Sequence, residues 1–184
     1  QTGFVSDGVY RVSLNSDDRY VLDVTNGSTA NGAKLQIYQT NATGAQAYRF
    51  TALSDGSYRI VNLLSGKCLT TSVSDYSVFQ QASSSSNAQK WKLVCNKAGA
   101  ISLVNVMSGK ALDVKNGVVS NGTPVGVAQF NNGAKPQAWV LLVQNSSYCN
   151  MTISLRRMAE LQRSAYSSLS VDELMRILNP GNYS

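Results

Sequence analysis

The chain has 184 residues, of which 43% are hydrophobic and 14% charged, with a formal net charge of +6. It contains no histidine, which excludes nucleophilic catalysis by a Ser/His or Cys/His pair and removes the commonest metal ligand. An abundance of Asn, Ser, Gly and Thr predicts an all-β protein with many turns, and the scattered basic residues argue against nucleic-acid binding.

The first unit of the chain is predicted to contain four strands. Residues 1–7 form a lead-in without the basic-then-apolar pattern of a signal segment. Alternating apolar and polar residues, separated by turn clusters such as Asn15–Asp18, indicate half-buried strands. The strands are expected at Tyr10–Leu14, Tyr20–Val24 and Leu35–Tyr38, with the fourth beginning at Tyr48–Phe50.

The same order of features occurs twice more along the chain. Strands comparable to Tyr10–Leu14 begin again at Tyr58 and Ile101. Each unit ends in a Gln, one spacer and a large aromatic residue: Gln46 and Tyr48, Gln89 and Trp91, Gln137 and Trp139. A repeat of about 40 to 50 residues fixes the architecture, because no single unit can bury its own apolar face. Three units closing on one another would bury a shared core and leave no open sheet edge.

The pattern changes after the third unit. Residues 1–143 are predicted to form one domain, with repeats at about 8–53, 56–96 and 99–142, followed by a helical extension over 144–184. Apolar residues at helical spacing begin at Leu155, and Ser170–Glu173 is a capping box for a second short helix. These helices either pack against the repeats or a neighbouring domain, or form a partner or oligomerisation surface. No apolar run of about 18 residues occurs, so no membrane span is predicted.

The three cysteines, Cys68, Cys95 and Cys149, match no zinc-binding spacing. One disulfide with one free thiol and three buried thiols are both open interpretations. The cysteines therefore do not decide the cellular compartment.

The three Gln-x-aromatic signatures, each ending a four-stranded unit, resemble the ricin-type β-trefoil lectins. That family includes plant toxin B chains and the family-13 carbohydrate-binding modules of secreted bacterial enzymes. The resemblance covers about residues 8–142 and includes Leu22-Asp23-Val24 and Leu112-Asp113-Val114 at matching positions. It implies an all-β fold, a β-trefoil of three four-stranded repeats, followed here by the short α-helical C-terminal segment. It also implies that the aromatic residues lie in the core and that each Gln holds the site carboxylate.

A pyranose sugar presents hydroxyl groups and one weakly polar C–H face, so its pocket needs a carboxylate or amide and an aromatic platform. The resemblance places the carboxylate at Asp23 and the platform at Tyr38 in the first repeat. Gln36 and Asn41 take the flanking polar positions, and Gln46 would hold Asp23. Gln36 and Tyr38 are two residues apart and therefore share one strand face. The alternative is that Asp23 only ends a turn and Tyr38 is a half-buried strand residue.

The third repeat keeps only part of this set. Alignment places Asp113 at the carboxylate position, but Gly126 and Ala128 replace the flanking Gln and the platform. Phe130, two residues further on, is predicted to share the strand face and to serve as the platform. The resulting second candidate site consists of Asp113, Phe130, Asn131 and Gln137. In the second repeat Thr70 replaces the carboxylate, so this repeat is predicted to be scaffold.

The sequence thus predicts non-catalytic carbohydrate binding, as a lectin or carbohydrate-binding module, with its main site in the first repeat. No cofactor or metal is expected, and the expected partners are glycans, of galactose type or plant or bacterial polysaccharide. Such a protein is expected to be secreted or at the cell surface. One alternative is a protein-interaction scaffold with decayed sugar sites that uses the helical tail. A glycosidase using Asp23 and Asp113 is disfavoured, because these residues belong to different repeats.

Overall fold

A computed structural model describes residues 5–96 and 100–143 of the chain. These residues form twelve strands: β1 (Gly8–Leu14), β2 (Asp17–Val24), β3 (Leu35–Gln39), β4 (Tyr48–Ala52), β5 (Tyr58–Asn62), β6 (Cys68–Thr71), β7 (Val78–Gln81), β8 (Trp91–Asn96), β9 (Ala100–Asn105), β10 (Ala111–Val114), β11 (Val125–Ala128) and β12 (Trp139–Val143). Five short 3₁₀ helices lie between them, at Thr25–Gly27, Gly44–Gln46, Asn87–Gln89, Lys115–Gly117 and Lys135–Gln137.

None of the helices in the described ranges has the length and apolar character that crossing a membrane requires. The helices predicted for 144–184 lie outside the described residues, and so does Cys149.

Six of the strands form a closed antiparallel ring. The pairs run β1–β4, β4–β5, β5–β8, β8–β9, β9–β12 and β12–β1. Each remaining pair of strands, β2–β3, β6–β7 and β10–β11, forms a hairpin that is bonded to the ring through β1, β5 or β9. A six-stranded barrel capped by three hairpins is the β-trefoil, which confirms the predicted fold.

The core is built from the inward-facing residues of all three repeats. The aromatic residues that end each repeat, Tyr48, Trp91 and Trp139, have no exposed surface. Trp91 Nε1 donates to Leu69 O and Trp139 Nε1 donates to Leu112 O, each at 3.1 Å. A buried indole needs such an acceptor, because an unsatisfied buried donor costs free energy. The bond to Leu112 also fixes β10, the strand that carries Asp113.

Neighbouring hairpins are joined by equivalent backbone hydrogen bonds. Gln80 N donates to Ala33 O, Ile37 N to Thr123 O, and Val127 N to Tyr76 O, each at 2.9 Å. The loop of each hairpin therefore touches the outer strand of another repeat. It follows that Tyr76 of the second repeat occupies the position that Ala33 and Thr123 hold in the others.

The turn predicted at Asn15–Asp18 is shorter in the structure. Strand β2 begins at Asp17, so only Asn15 and Ser16 form the turn. Asp17 Oδ1 accepts hydrogen bonds from the backbone N and the Nε of Arg19, at 3.2 and 2.9 Å. The carboxylate thus stabilises the start of a strand, a role that a pattern of turn-forming residue types does not reveal.

Candidate functional site

The first repeat places its site residues on one hairpin. Asp23 on β2 pairs directly with Gln36 on β3, and Tyr38 lies two residues beyond Gln36. Asp23 is 5% exposed, whereas Tyr38 is 40% exposed. The hairpin therefore presents a shielded carboxylate beside an open aromatic ring.

Two amides fix the Asp23 carboxylate. Gln46 Nε2 donates to Asp23 Oδ2 at 2.9 Å, and Gln36 Nε2 donates to Asp23 Oδ1 at 3.0 Å. Gln46, which is fully buried, also donates to Gln39 O at 3.0 Å and accepts from Asn41 N at 2.8 Å. One buried amide thus connects the carboxylate to the loop that follows β3. Each carboxylate oxygen retains further acceptor capacity for a ligand.

The residues around Asp23 enclose an open pocket of about 390 Å³. Its lining includes Asn26, Gln36, Tyr38 and Asn41 from the first repeat, and Leu64 from the second. The side-chain oxygen of Asn41 accepts from the N and the Oγ1 of Thr43, at 3.1 and 2.7 Å, which leaves its amide N–H groups as donors. The pocket therefore offers an aromatic face, a carboxylate and amide donors, with an apolar side chain at its edge.

In the second repeat a hydroxyl takes the place of the carboxylate. Gln89 Nε2 donates to Thr70 Oγ1 at 3.2 Å and to Ala82 O at 2.9 Å. The second repeat therefore keeps the supporting amide, that of Gln89, but has no carboxylate at this position to bind a ligand.

The third repeat keeps both the carboxylate and its supporting amide. Gln137 Nε2 donates to Asp113 Oδ2 at 2.9 Å and to Gln129 O at 2.8 Å, and Asn131 N donates to Gln137 Oε1 at 2.9 Å. The strand register pairs Asp113 with Gly126, which confirms that Gly126 occupies the position of Gln36. Burial raises the pKa of Asp113, and the bond from Gln137 offsets part of that rise.

The prediction that Phe130 shares a strand face with this site is wrong. Strand β11 ends at Ala128, so the two-residue alternation of side chains does not continue to Phe130, which lies in the following loop. The pocket beside Asp113, of about 700 Å³, is instead lined by Tyr76 from the second repeat. Small residues at positions 126 and 128, which share one face of β11, and a short second hairpin are the sequence signals of this replacement.

Replacing Asp113 with Asn is expected to stabilise the fold at neutral pH but not in acid. The pKa of Asp113 is raised in the folded state, so Asp113 binds its proton more tightly there than in the unfolded chain. Ionised Asp113 therefore lowers the free energy of unfolding, and this loss appears as the pH rises above the ordinary Asp pKa of about 3.9. Asn is uncharged and keeps an acceptor for Gln137. Thermal unfolding of both proteins at about pH 3 and about pH 7 measures the difference. A variant with equal or lower stability at neutral pH contradicts this expectation.

Among the described residues no group of three or more His, Cys, Asp or Glu side chains is placed to hold a metal ion. The two pockets are lined by hydroxyl, amide, carboxylate, ammonium and aromatic groups.

Comparison with known proteins agrees with the β-trefoil fold. A family model described as a ricin-type beta-trefoil lectin domain-like family matches residues 3–77, 44–128 and 87–159. No curated protein matches the chain. Among solved structures, the designed 3-fold symmetric protein ThreeFoil is 34% identical, with a TM-score of 0.69 over 76% of this chain and 100% of that one.

Two natural proteins are similar at lower identity. The Rhizoctonia solani agglutinin is 24% identical, with a TM-score of 0.66 over 76% of this chain and 97% of the agglutinin. An exo-beta-1,3-galactanase from Clostridium thermocellum is 25% identical, with a TM-score of 0.68 over 74% of this chain. The chain spans only 30% of the length of that galactanase.

Proposed function

The chain belongs to the ricin-type β-trefoil lectin domain-like family, and on that premise we propose that it is a non-catalytic carbohydrate-binding protein with its main site in the first repeat. One observation carries this proposal: Asp23, fixed by two amides, lies in the same open pocket as the exposed ring of Tyr38. The arrangement joins an acceptor for hydroxyl groups to a platform for a C–H face, which are the two groups that a pyranose needs.

In this site the sugar packs its C–H face on Tyr38 and donates a hydroxyl hydrogen to Asp23. Asn41 supplies N–H donors to a neighbouring hydroxyl oxygen, since its own side-chain oxygen is bonded to Thr43. Leu64, 50% exposed, contacts the less polar edge of the ligand. Gln46 does not line the pocket and acts by positioning Asp23.

The proposed ligands are glycans of galactose type, or plant or bacterial polysaccharides. The likeness to the Clostridium thermocellum exo-beta-1,3-galactanase supports a galactose-containing ligand, although the chain matches only a part of that enzyme. A secreted or cell-surface location accords with such ligands and belongs to the same proposal.

Catalysis is not part of the proposal. Glycosidases of the usual kind place two carboxylates about 5–9.5 Å apart across one bond of the substrate. Asp23 and Asp113 instead line two different pockets. A single open sugar pocket binds weakly, on the order of 0.1 to 10 mM. Useful avidity therefore comes from additional sites or from linked copies.

Replacing Tyr38 with Ala is expected to weaken binding to at least one sugar class by about tenfold or more, because loss of a stacking ring and its contact area costs about 1.4 kcal/mol or more. The measurement is an array of galactose-, xylose- and arabinose-containing glycans, followed by titration with the best binder. Circular dichroism establishes that the variant is folded.

The matched control is Phe79→Ala in the second repeat, where Thr70 replaces the carboxylate. Its binding should equal that of the unmodified protein. If the unmodified protein binds no glycan, the scaffold function becomes the better account of the chain. If it binds a glycan and Tyr38→Ala binds as well as Phe79→Ala, the first repeat is not the main site.

A further inference from the structure

We propose that the pocket beside Asp113 is a second glycan site whose aromatic platform, Tyr76, comes from the second repeat. The inference rests on the proposed function, which it extends from one pocket to two. Tyr76 is 45% exposed and lines this pocket of about 700 Å³ together with Asp113. The platform missing at Ala128 is therefore replaced by a residue about 50 positions earlier in the chain.

The short second hairpin brings Tyr76 to this place. Six residues, 72–77, connect β6 to β7, whereas ten residues connect β2 to β3 and β10 to β11. The shorter connection still forms the backbone hydrogen bond that joins neighbouring hairpins, and Tyr76 O is the acceptor of that bond. At this junction the first and third repeats carry the small residues Ala33 and Thr123. Only the second repeat carries a large aromatic residue there.

Gly126 permits this contact. A Cβ atom at position 126 would lie 2.6 Å from the carbonyl oxygen of Tyr76, which is closer than real Cβ contacts allow. Tyr76 itself has a φ of 57°, in the left-handed region that non-glycine residues adopt infrequently. By strand register Gln36 and Phe79 hold the equivalent positions in the first and second repeats. The trefoil therefore accepts side chains here, and the glycine is needed specifically for the approach of Tyr76.

Charged groups hold the loop and the ring in place. Lys110 Nζ lies 4.9 Å from the centroid of the Tyr76 ring, a cation–π contact, and Tyr76 remains 45% exposed. Asp75 Oδ1 accepts from the N and the Oγ of Ser77, at 3.0 and 2.8 Å. Lys34 Nζ, from the first repeat, donates to Ser77 Oγ at 2.8 Å. The platform is thus fixed by residues of all three repeats.

The carboxylate of this second site is more open than that of the first. Gln137 binds Asp113 Oδ2, and with glycine at position 126 no described residue donates to Oδ1. In the first repeat both oxygens of Asp23 already accept a protein hydrogen bond. Asp113 can therefore accept hydrogen bonds from two adjacent hydroxyl groups, one at each oxygen. The ligand class is a pyranose with a vicinal diol.

The test uses the full chain and the same panel of galactose-, xylose- and arabinose-containing oligosaccharides. Starting from Tyr38→Ala, the binding that remains is expected to fall at least about tenfold when Tyr76→Ala is added. Adding Phe130→Ala, the matched aromatic control, should leave it unchanged. Gly126→Ala should have the effect of Tyr76→Ala, because the new methyl group displaces the Tyr76 carbonyl while the fold persists.

The outcomes separate this inference from the proposed main site. If Tyr38→Ala alone removes all binding from a folded protein, the second site is overturned and the first stands. If Phe130→Ala weakens the remaining binding while Tyr76→Ala does not, the platform is wrongly assigned. If Tyr76→Ala alone removes all binding and Tyr38→Ala removes none, the second site stands and the first-repeat site is overturned.

Discussion

Replacing Trp139 with Ala is expected to lower the free energy of unfolding by about 3–5 kcal/mol, enough to leave a domain of ordinary stability barely folded. Trp139 has no exposed surface, so the substitution opens a large cavity where the three repeats meet. It also removes the indole donor to Leu112 O and leaves a buried carbonyl without this partner. Urea unfolding followed by circular dichroism measures the loss.

Trp139→Phe is the control that separates the effect of the lost side-chain volume from that of the lost hydrogen bond. The first repeat already carries a smaller ring, Tyr48, at the equivalent position, and its hydroxyl donates to Ala45 O at 3.3 Å. We therefore expect Phe to cost clearly less than Ala, since it fills most of the space and loses only the N–H donor. An alanine variant that loses less than about 1 kcal/mol would contradict a central role for Trp139 in the core.

The repeat signature was sufficient to predict the fold. Each unit carries a large aromatic residue at the same position, preceded by strands of alternating polarity. Such residues are expected to be buried in a core that the three units share. Tyr48, Trp91 and Trp139 lie there. The bond between Gln46 and Asp23 was also predictable, because both residues belong to one repeat and their roles follow from the resemblance.

The third-repeat pocket shows what the sequence could not reveal. Two-residue alternation places side chains on one face only while the strand continues, and β11 stops before Phe130. Tyr76 reaches the pocket through contacts between repeats, and no local pattern encodes a contact of that kind. The informative sequence signal is the lack of large side chains at Gly126 and Ala128, which makes room for a residue from another repeat. A side chain missing at one repeat position is thus replaced here by one from the neighbouring repeat.

Replacing Gln46 with Glu is expected to weaken the first-repeat site and to cost about 2–3 kcal/mol of stability. The amide nitrogen that donates to Asp23 Oδ2 and to Gln39 O becomes an oxygen, so two hydrogen bonds turn into repulsive contacts. Arg11 Nη1, 3.4 Å from Gln46 Oε1, offsets part of the added charge but faces the other oxygen. Asp23 then loses its fixed position, and glycan binding at Tyr38 should fall about tenfold or more.

The same substitution at Gln89 is the matched control, because the partner there is a hydroxyl. Thr70 Oγ1 donates its hydrogen to Cys68 O at 2.9 Å and can rotate to donate it to a Glu carboxylate instead, whereas Asp23 can only accept. Gln89→Glu should therefore keep first-site binding intact and destabilise less than Gln46→Glu. The Gln46→Glu defect should also shrink in acid, since a protonated carboxyl group donates again in place of the lost amide. Equal binding losses in the two variants, or a Gln46→Glu protein that binds normally at about pH 7, would contradict the role of Gln46 in holding Asp23 for a sugar.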